Sequence, residues 1–175
     1  MVNGLLAFLP KASRRRWAAA GVGGFSLIEL LITLAVVAVL AGVVVPVAQT
    51  AVQRSKEQDL RLALRELRGA IDDYKRAGDE GRLERDMSDS AYPENLQVLV
   101  DGKEDLRDPE HRKIYFLRRI PRDPMHPDGS VPAADTWAKR AYASDADNPR
   151  EGDDVYDVYS RSTGIGLNGV PYRQW

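Results

Sequence analysis

Across residues 24–48, GFSLIELLITLAVVAVLAGVVVPVA, the only charge is Glu29, and from Leu30 to Ala48 nothing is ionisable. About 19 residues at about 1.5 Å each make a helix close to the ~30 Å hydrocarbon thickness of a bilayer. The stretch can span a membrane. A carboxylate just inside such a run is costly in lipid unless it has a partner or a task, so Glu29 needs explaining. Upstream lie Lys11, Arg14, Arg15 and Arg16, with no acid before Glu29. That asymmetry places the N-terminus in the cytoplasm and the rest of the chain outside it. An ordinary secretory signal would need small residues one and three positions before its cut. The end of this run offers only Pro46-Val47-Ala48, with proline badly placed.

Gly24-Phe25-Ser26-Leu27-Ile28-Glu29 resembles the class III signal of type IV pilins and pseudopilins. The resemblance implies that a prepilin peptidase cuts after Gly24 and methylates the new N-terminal Phe25. Glu29 would then be fifth in the mature chain and serve filament assembly. Pro46 would be the twenty-second residue, where the family also tends to carry proline. The leader departs from the pattern in its length, with the neutral segment 17–23 between the arginines and the cut. Pro46 has no amide hydrogen for the Gly42 carbonyl and its ring crowds that oxygen. Gly42 and the β-branched Val43, Val44 and Val45 weaken the same turn, so a kink is expected from Gly42 to Pro46. By resemblance, this segment loses helicity when subunits pack into a filament.

The length of 175 residues suits one domain, with about 100 residues left for a head once leader and membrane helix are set aside. The 25 basic and 26 acidic residues nearly balance, so nothing points to a nucleic-acid partner. There is no cysteine, so no disulfide can staple a head that lies where disulfides are permitted. Many adhesive type IV pilins close a loop with one, whereas G-type pseudopilins of type II secretion usually do not. The resemblance therefore leans to the G type.

Beyond Ala48 the pattern becomes amphipathic. Leu60, Leu64, Leu67, Ile71 and Tyr74 are spaced four, three, four and three apart, a helical stripe. Glu57 with Arg61 and Asp72 with Arg76 read as acid-to-base pairs on its exposed face. Gly78 is the expected stop, giving one helix over about 25–77. A charged loop follows at 78–91, then Tyr92-Pro93 and a short helix over 94–100. The group Ile114-Tyr115-Phe116-Leu117 leads to a proline-interrupted insertion over 125–135. Strands are expected over 136–143 and 155–160, joined by an acidic loop, and a glycine-rich tail ends in a docked Trp175. The expected class is α+β: a long N-terminal α-helix packed on a small antiparallel β-sheet head, type IV pilin-like. Its parts are a cleaved leader at 1–24, a membrane-spanning or filament-core half at 25–48, an amphipathic half at 49–78, and a head at 79–175.

Gly164, Gly166 and Gly169 spell GxGxxG, but no helix can follow them, so dinucleotide binding is not expected. His111 and His126, near Asp108, Glu110, Asp123 and Asp128, lack any metal-ligand spacing. No serine or cysteine nucleophile has a partner pattern, so no enzyme is expected. Calcium enters through the resemblance, because G-type pseudopilins commonly bind it through aspartates and carbonyls. The corresponding stretch here, 160–168, has no carboxylate, so no cofactor is expected. Asp145, Asp147, Glu151, Asp153 and Asp154 do offer oxygens of the kind calcium takes.

By resemblance, then, the chain is a pseudopilin subunit of a type II secretion system. It would be a single-pass inner-membrane protein with a cytoplasmic N-terminus and a periplasmic head. Its partners would be copies of itself, the prepilin peptidase, other pseudopilins, inner-membrane assembly proteins and, before assembly, lipid. A pilin of a surface or competence pilus is the alternative, and a membrane-anchored periplasmic enzyme or binding module a third reading.

Overall fold

Helix α1 (Leu27–Asp79), 53 residues long, continues through both Gly42 and Pro46 in a computed structural model that describes residues 24–84 and 90–175. The expected leader, with Lys11 and the three arginines, lies outside the described residues. The chain divides between Val44 and Val45 into two units. In the first, every described side chain of α1 is exposed. That is the pattern of a helix whose apolar surface is meant for something other than its own chain.

In the second unit the expected stripe is buried: Leu60, Leu64, Leu67, Ile71 and Tyr74 are all in the core. The helix ends later than the expected Gly78. Gly81 takes the left-handed conformation, at φ +67°, and the Arg82 and Gly81 amides donate to the Ala77 and Gly78 carbonyls. That double bond is the Schellman cap, and it needs its glycine at the left-handed position, which Gly78 does not occupy.

Glu57 departs from its expected place on the exposed face, because it is only 3% exposed. Arg61 does not pair with it but lies over the Trp175 ring, 4.3 Å from the centroid. Arg76 forms its ion pair with Asp73 at 3.0 Å rather than with Asp72.

The head is built on two small antiparallel sheets. Helix α2 is a single turn (Val98–Asp101), shorter than expected. Strands β1 (Lys103–Glu104) and β2 (Lys113–Ile114) pair, with Lys103 opposite Ile114. Strands β3 (Trp137–Arg140) and β4 (Asp157–Ser160) pair as expected from the aromatic segments, with Trp137 opposite Ser160 and Arg140 opposite Asp157. Leu96, Leu99, Leu117, Trp137, Val155 and Val158 close the core over the α1 stripe. Phe116 meets Tyr74 edge to face at 5.2 Å.

The proline-rich insertion is tied down by polar contacts. Arg122 donates to the Val131 and Asp128 carbonyls. Buried Asp123 accepts from the Ser160 hydroxyl at 2.6 Å and the Met125 amide at 2.8 Å, while Trp137 Nε1–H donates to the Pro121 carbonyl at 2.8 Å. A buried carboxylate and indole are thus satisfied by β4 and by the loop that leads into β3.

Candidate functional site

The residues expected to carry function lie at the start of α1. Gly24, Phe25 and Ser26 precede the helix, and the first bond of its ladder runs from the Leu30 amide to the Ser26 carbonyl at 3.1 Å. Phe25 is 82% exposed. A Cβ placed on Gly24 would meet no atom within 4 Å, and the same holds for Gly42. Neither glycine is demanded by contacts among the described residues.

Glu29 sits in the first turn of α1, exposed, and makes no hydrogen bond or ion pair among the described residues. Negative charge suits a helix N-terminus, where four amides lack intrahelical partners. The helix end thus accounts for its tolerance there.

Further along, Pro46 has its carbonyl engaged by the Thr50 hydroxyl at 2.9 Å. A hydroxyl bonding back one turn is a common accompaniment of a helix weakened by proline.

A second constellation, in the unit Val45–Trp175, binds the C-terminal tail to α1. Glu57 Oε1 accepts from the Leu167 amide at 2.8 Å, the Tyr172 hydroxyl at 2.9 Å and Gln53 Nε2 at 3.2 Å. Gln53 also donates to Tyr172 Oη at 2.9 Å and to the Ile165 carbonyl at 3.3 Å. Burial, reinforced by the Glu57 carboxylate, pushes the Tyr172 phenol above its ordinary value.

About three turns further along α1, Arg68 bonds Asp157 at 2.7 Å, the Trp175 carbonyl at 2.7 Å and the Val158 carbonyl at 3.2 Å. The glycines of the tail, which mimic a nucleotide motif, have a packing reason. A Cβ on Gly166 would come 2.5 Å from the Trp175 ring, and one on Gly164 would come 3.0 Å from Tyr172.

Glu57 and Gln53 were not expected to act in this way. Their signal was register: 53, 57, 60, 64, 67, 71 and 74 continue the buried stripe at helical spacing, and only their polarity disguised it.

Among the described residues, no three histidine, aspartate or glutamate side chains come together in a way that could hold an ion. Asp154 instead accepts from the Ser90 hydroxyl and the Tyr142 amide, Asp145 from the Asp147 amide, and Glu151 pairs with Arg161 at 3.2 Å. His111 and His126 likewise stand apart from any such cluster.

The start of α1 can be compared directly with known sequences. Residues 20–45 match the prokaryotic N-terminal methylation motif, a span that takes in Gly24, Phe25, Glu29 and Gly42 and stops one residue short of Pro46. The chain is also 30% identical over 112 residues to the type II secretion system core protein G of Klebsiella pneumoniae, a match that takes in 60% of this chain and 70% of that protein. It belongs to the core protein G family. No solved structure matches it.

The pilin alternative is not favoured over this family by these matches.

Proposed function

We propose that this pseudopilin homologue is made as an inner-membrane precursor and cut by a prepilin peptidase between Gly24 and Phe25. It is methylated at Phe25 and polymerised into a short periplasmic filament of a type II secretion system. It acts as a structural subunit rather than a catalyst, with other copies of itself and further pseudopilins as its partners. Before assembly α1 spans the membrane, with the head on the periplasmic side.

The observation that carries this reading is Glu29: one carboxylate without a partner among the described residues, on a helix whose described side chains in its first unit are all exposed and otherwise uncharged. Cleavage at Gly24 creates a cationic amine on Phe25, and methylation leaves that charge in place. Two unit charges 4 Å apart attract by roughly 4 kcal/mol at an effective dielectric near 20, before the cost of desolvation. A neighbour's N-terminus is the cation that Glu29 lacks. An uncut precursor has no such amine at Phe25. The head needs no ion in this reading, in which Asp145, Glu151 and Asp154 of the acidic loop are engaged in local bonds. The weak turn from Gly42 to Pro46 is where α1 would yield as subunits pack.

Glu29→Val tests the pairing. The variant should be cut and methylated normally but give few or no filaments when the secretion genes are overexpressed, as counted by shearing and electron microscopy. An unchanged filament yield would rule out the charge pair.

A further inference from the structure

A cleft of about 770 Å³ opens within the unit Val45–Trp175, bounded by α1, β3, β4, the 146–149 loop and the C-terminal tail. Arginines from three of these elements line it: Arg68 on α1, Arg140 on β3 and Arg173 in the tail. Arg68 is spent on Asp157 and on the carbonyls of Val158 and Trp175. The Arg140 and Arg173 guanidiniums make no hydrogen bond or ion pair among the described residues.

Arg140 stands directly opposite Asp157 in the β3–β4 ladder, where strand neighbours of opposite charge would ordinarily pair. Asp157 is instead bonded to Arg68 at 2.7 Å, and Arg140 lies over the Tyr156 ring, 4.7 Å from its centroid. The Arg140 side chain is half-buried, and its Nε is buried with no acceptor. A guanidinium cannot relieve that burial by giving up its proton, because it stays charged in proteins. Asp147 supplies the remaining negative charge of the lining and pairs with neither arginine. A partly desolvated cation beside a second free one is the charge pattern of a site whose anion comes from outside.

We propose that this cleft binds an oxyanion of the phosphate type. Guanidinium forks favour carboxylates and phosphates, through paired N–H···O bonds. A carboxylate offers its two oxygens to one fork, whereas a tetrahedral phosphate can meet forks from two elements at once, here Arg140 and Arg173. Asn148, Gln174 and Tyr159 on the same walls add neutral donors. The volume falls in the range of small-molecule sites, so the anion can be free phosphate or the phosphate end of a larger molecule. Bound there, it links β3 to the tail. The site is independent of cleavage at Gly24 and of filament assembly.

The test is the thermal midpoint of the detergent-solubilised full-length chain, followed by Trp137 fluorescence. It would be measured against rising inorganic phosphate and, separately, glycerol 3-phosphate, with sodium chloride holding the ionic strength constant. Phosphate should raise the midpoint saturably, with a dissociation constant at or below about 1 mM. Arg140→Gln and Arg173→Gln should each weaken that response about tenfold, the scale of one charge-assisted pair. Asp147→Asn removes a like charge and should strengthen it a few-fold. Arg118→Gln, at an exposed position outside the cleft, should leave it unchanged.

An equal response to glycerol 3-phosphate would identify the ligand as the phosphate end of a larger molecule, and a response to phosphate alone would identify the free ion. A rise no greater than chloride gives, or one that does not saturate, would overturn the site. A saturable rise that survives both arginine substitutions would place the phosphate elsewhere and overturn it equally. Arg173 and Asp147 are exposed, so their variants read the site even where Arg140→Gln fails to fold.

Discussion

Leu34 and Leu64 are the same residue on the same helix, yet one is 65% exposed and the other 3%. Backbone conformation and hydrophobicity cannot explain the difference, since α1 carries both and both are leucine. What differs is the pattern around them. Near Leu34 the apolar residues surround the helix, so no single face can be satisfied by folding a head against it. Near Leu64 they fall in one stripe, and the head covers that stripe. A helix apolar on all sides must be covered by lipid or by other helices, whereas an amphipathic one can be completed within its own chain. One element thus serves two solvents, and the change from one pattern to the other follows Ala48.

The comparison is sharpest when both leucines are truncated. Leu64→Ala should cost about 2–5 kcal/mol of head stability, through lost burial and a cavity. Leu34→Ala should change head stability by no more than ~0.5 kcal/mol, the range of exposed substitutions. Urea unfolding of the detergent-solubilised chain, followed by the fluorescence of buried Trp137, separates them. Equal destabilisation by both variants would break the distinction.

A smaller effect concerns the polar start of the buried stripe. Glu57→Ala leaves the Leu167 amide and Tyr172 hydroxyl without their acceptor, and should cost about 1–3 kcal/mol. Glu57→Gln keeps an acceptor and should retain part of it. Amide hydrogen exchange at Leu167 should quicken in the alanine variant more than in the glutamine variant. Exchange that is unchanged in both would mean the tail is held by Trp175 and Arg68 alone.

These residues also mark how far the sequence could be read. The stripe from Leu60 to Tyr74 and strands β3 and β4 were legible, because helical spacing and paired aromatic segments are direct consequences of what each element must bury. Helix α1 was legible to within a few residues. Its end was misjudged because a glycine inside a helix and a glycine that caps one look alike until the left-handed turn is known.

Glu57 was hidden for a different reason. An acid four residues before Arg61 suggests a surface pair, and only the arrival of Tyr172 and the Leu167 amide, more than a hundred residues later, makes its burial tolerable. Strands β1 and β2 were invisible, since two-residue strands of mostly charged side chains carry no alternation. Of the candidate site, Gly24, Phe25 and Glu29 were legible as a motif, because they lie within the span 20–45 that matches the N-terminal methylation motif and owe nothing to packing in the head.

The smallest effect expected is none at all. Removing divalent ions with a chelator should leave the thermal midpoint of the head unchanged, because packing against α1 and local hydrogen bonds hold it. A drop of several degrees, reversed by calcium, would mean the acidic loop gathers an ion and that the second half of α1 does not complete the head unaided.

The decisive measurement is the intact mass of the protein purified from a host with an active type II secretion system. The expected product begins at Phe25, carries one added methyl group and lacks Lys11 and the three arginines of the leader. A product that retains that basic segment would leave Glu29 without its proposed partner and contradict assembly through a freed N-terminus.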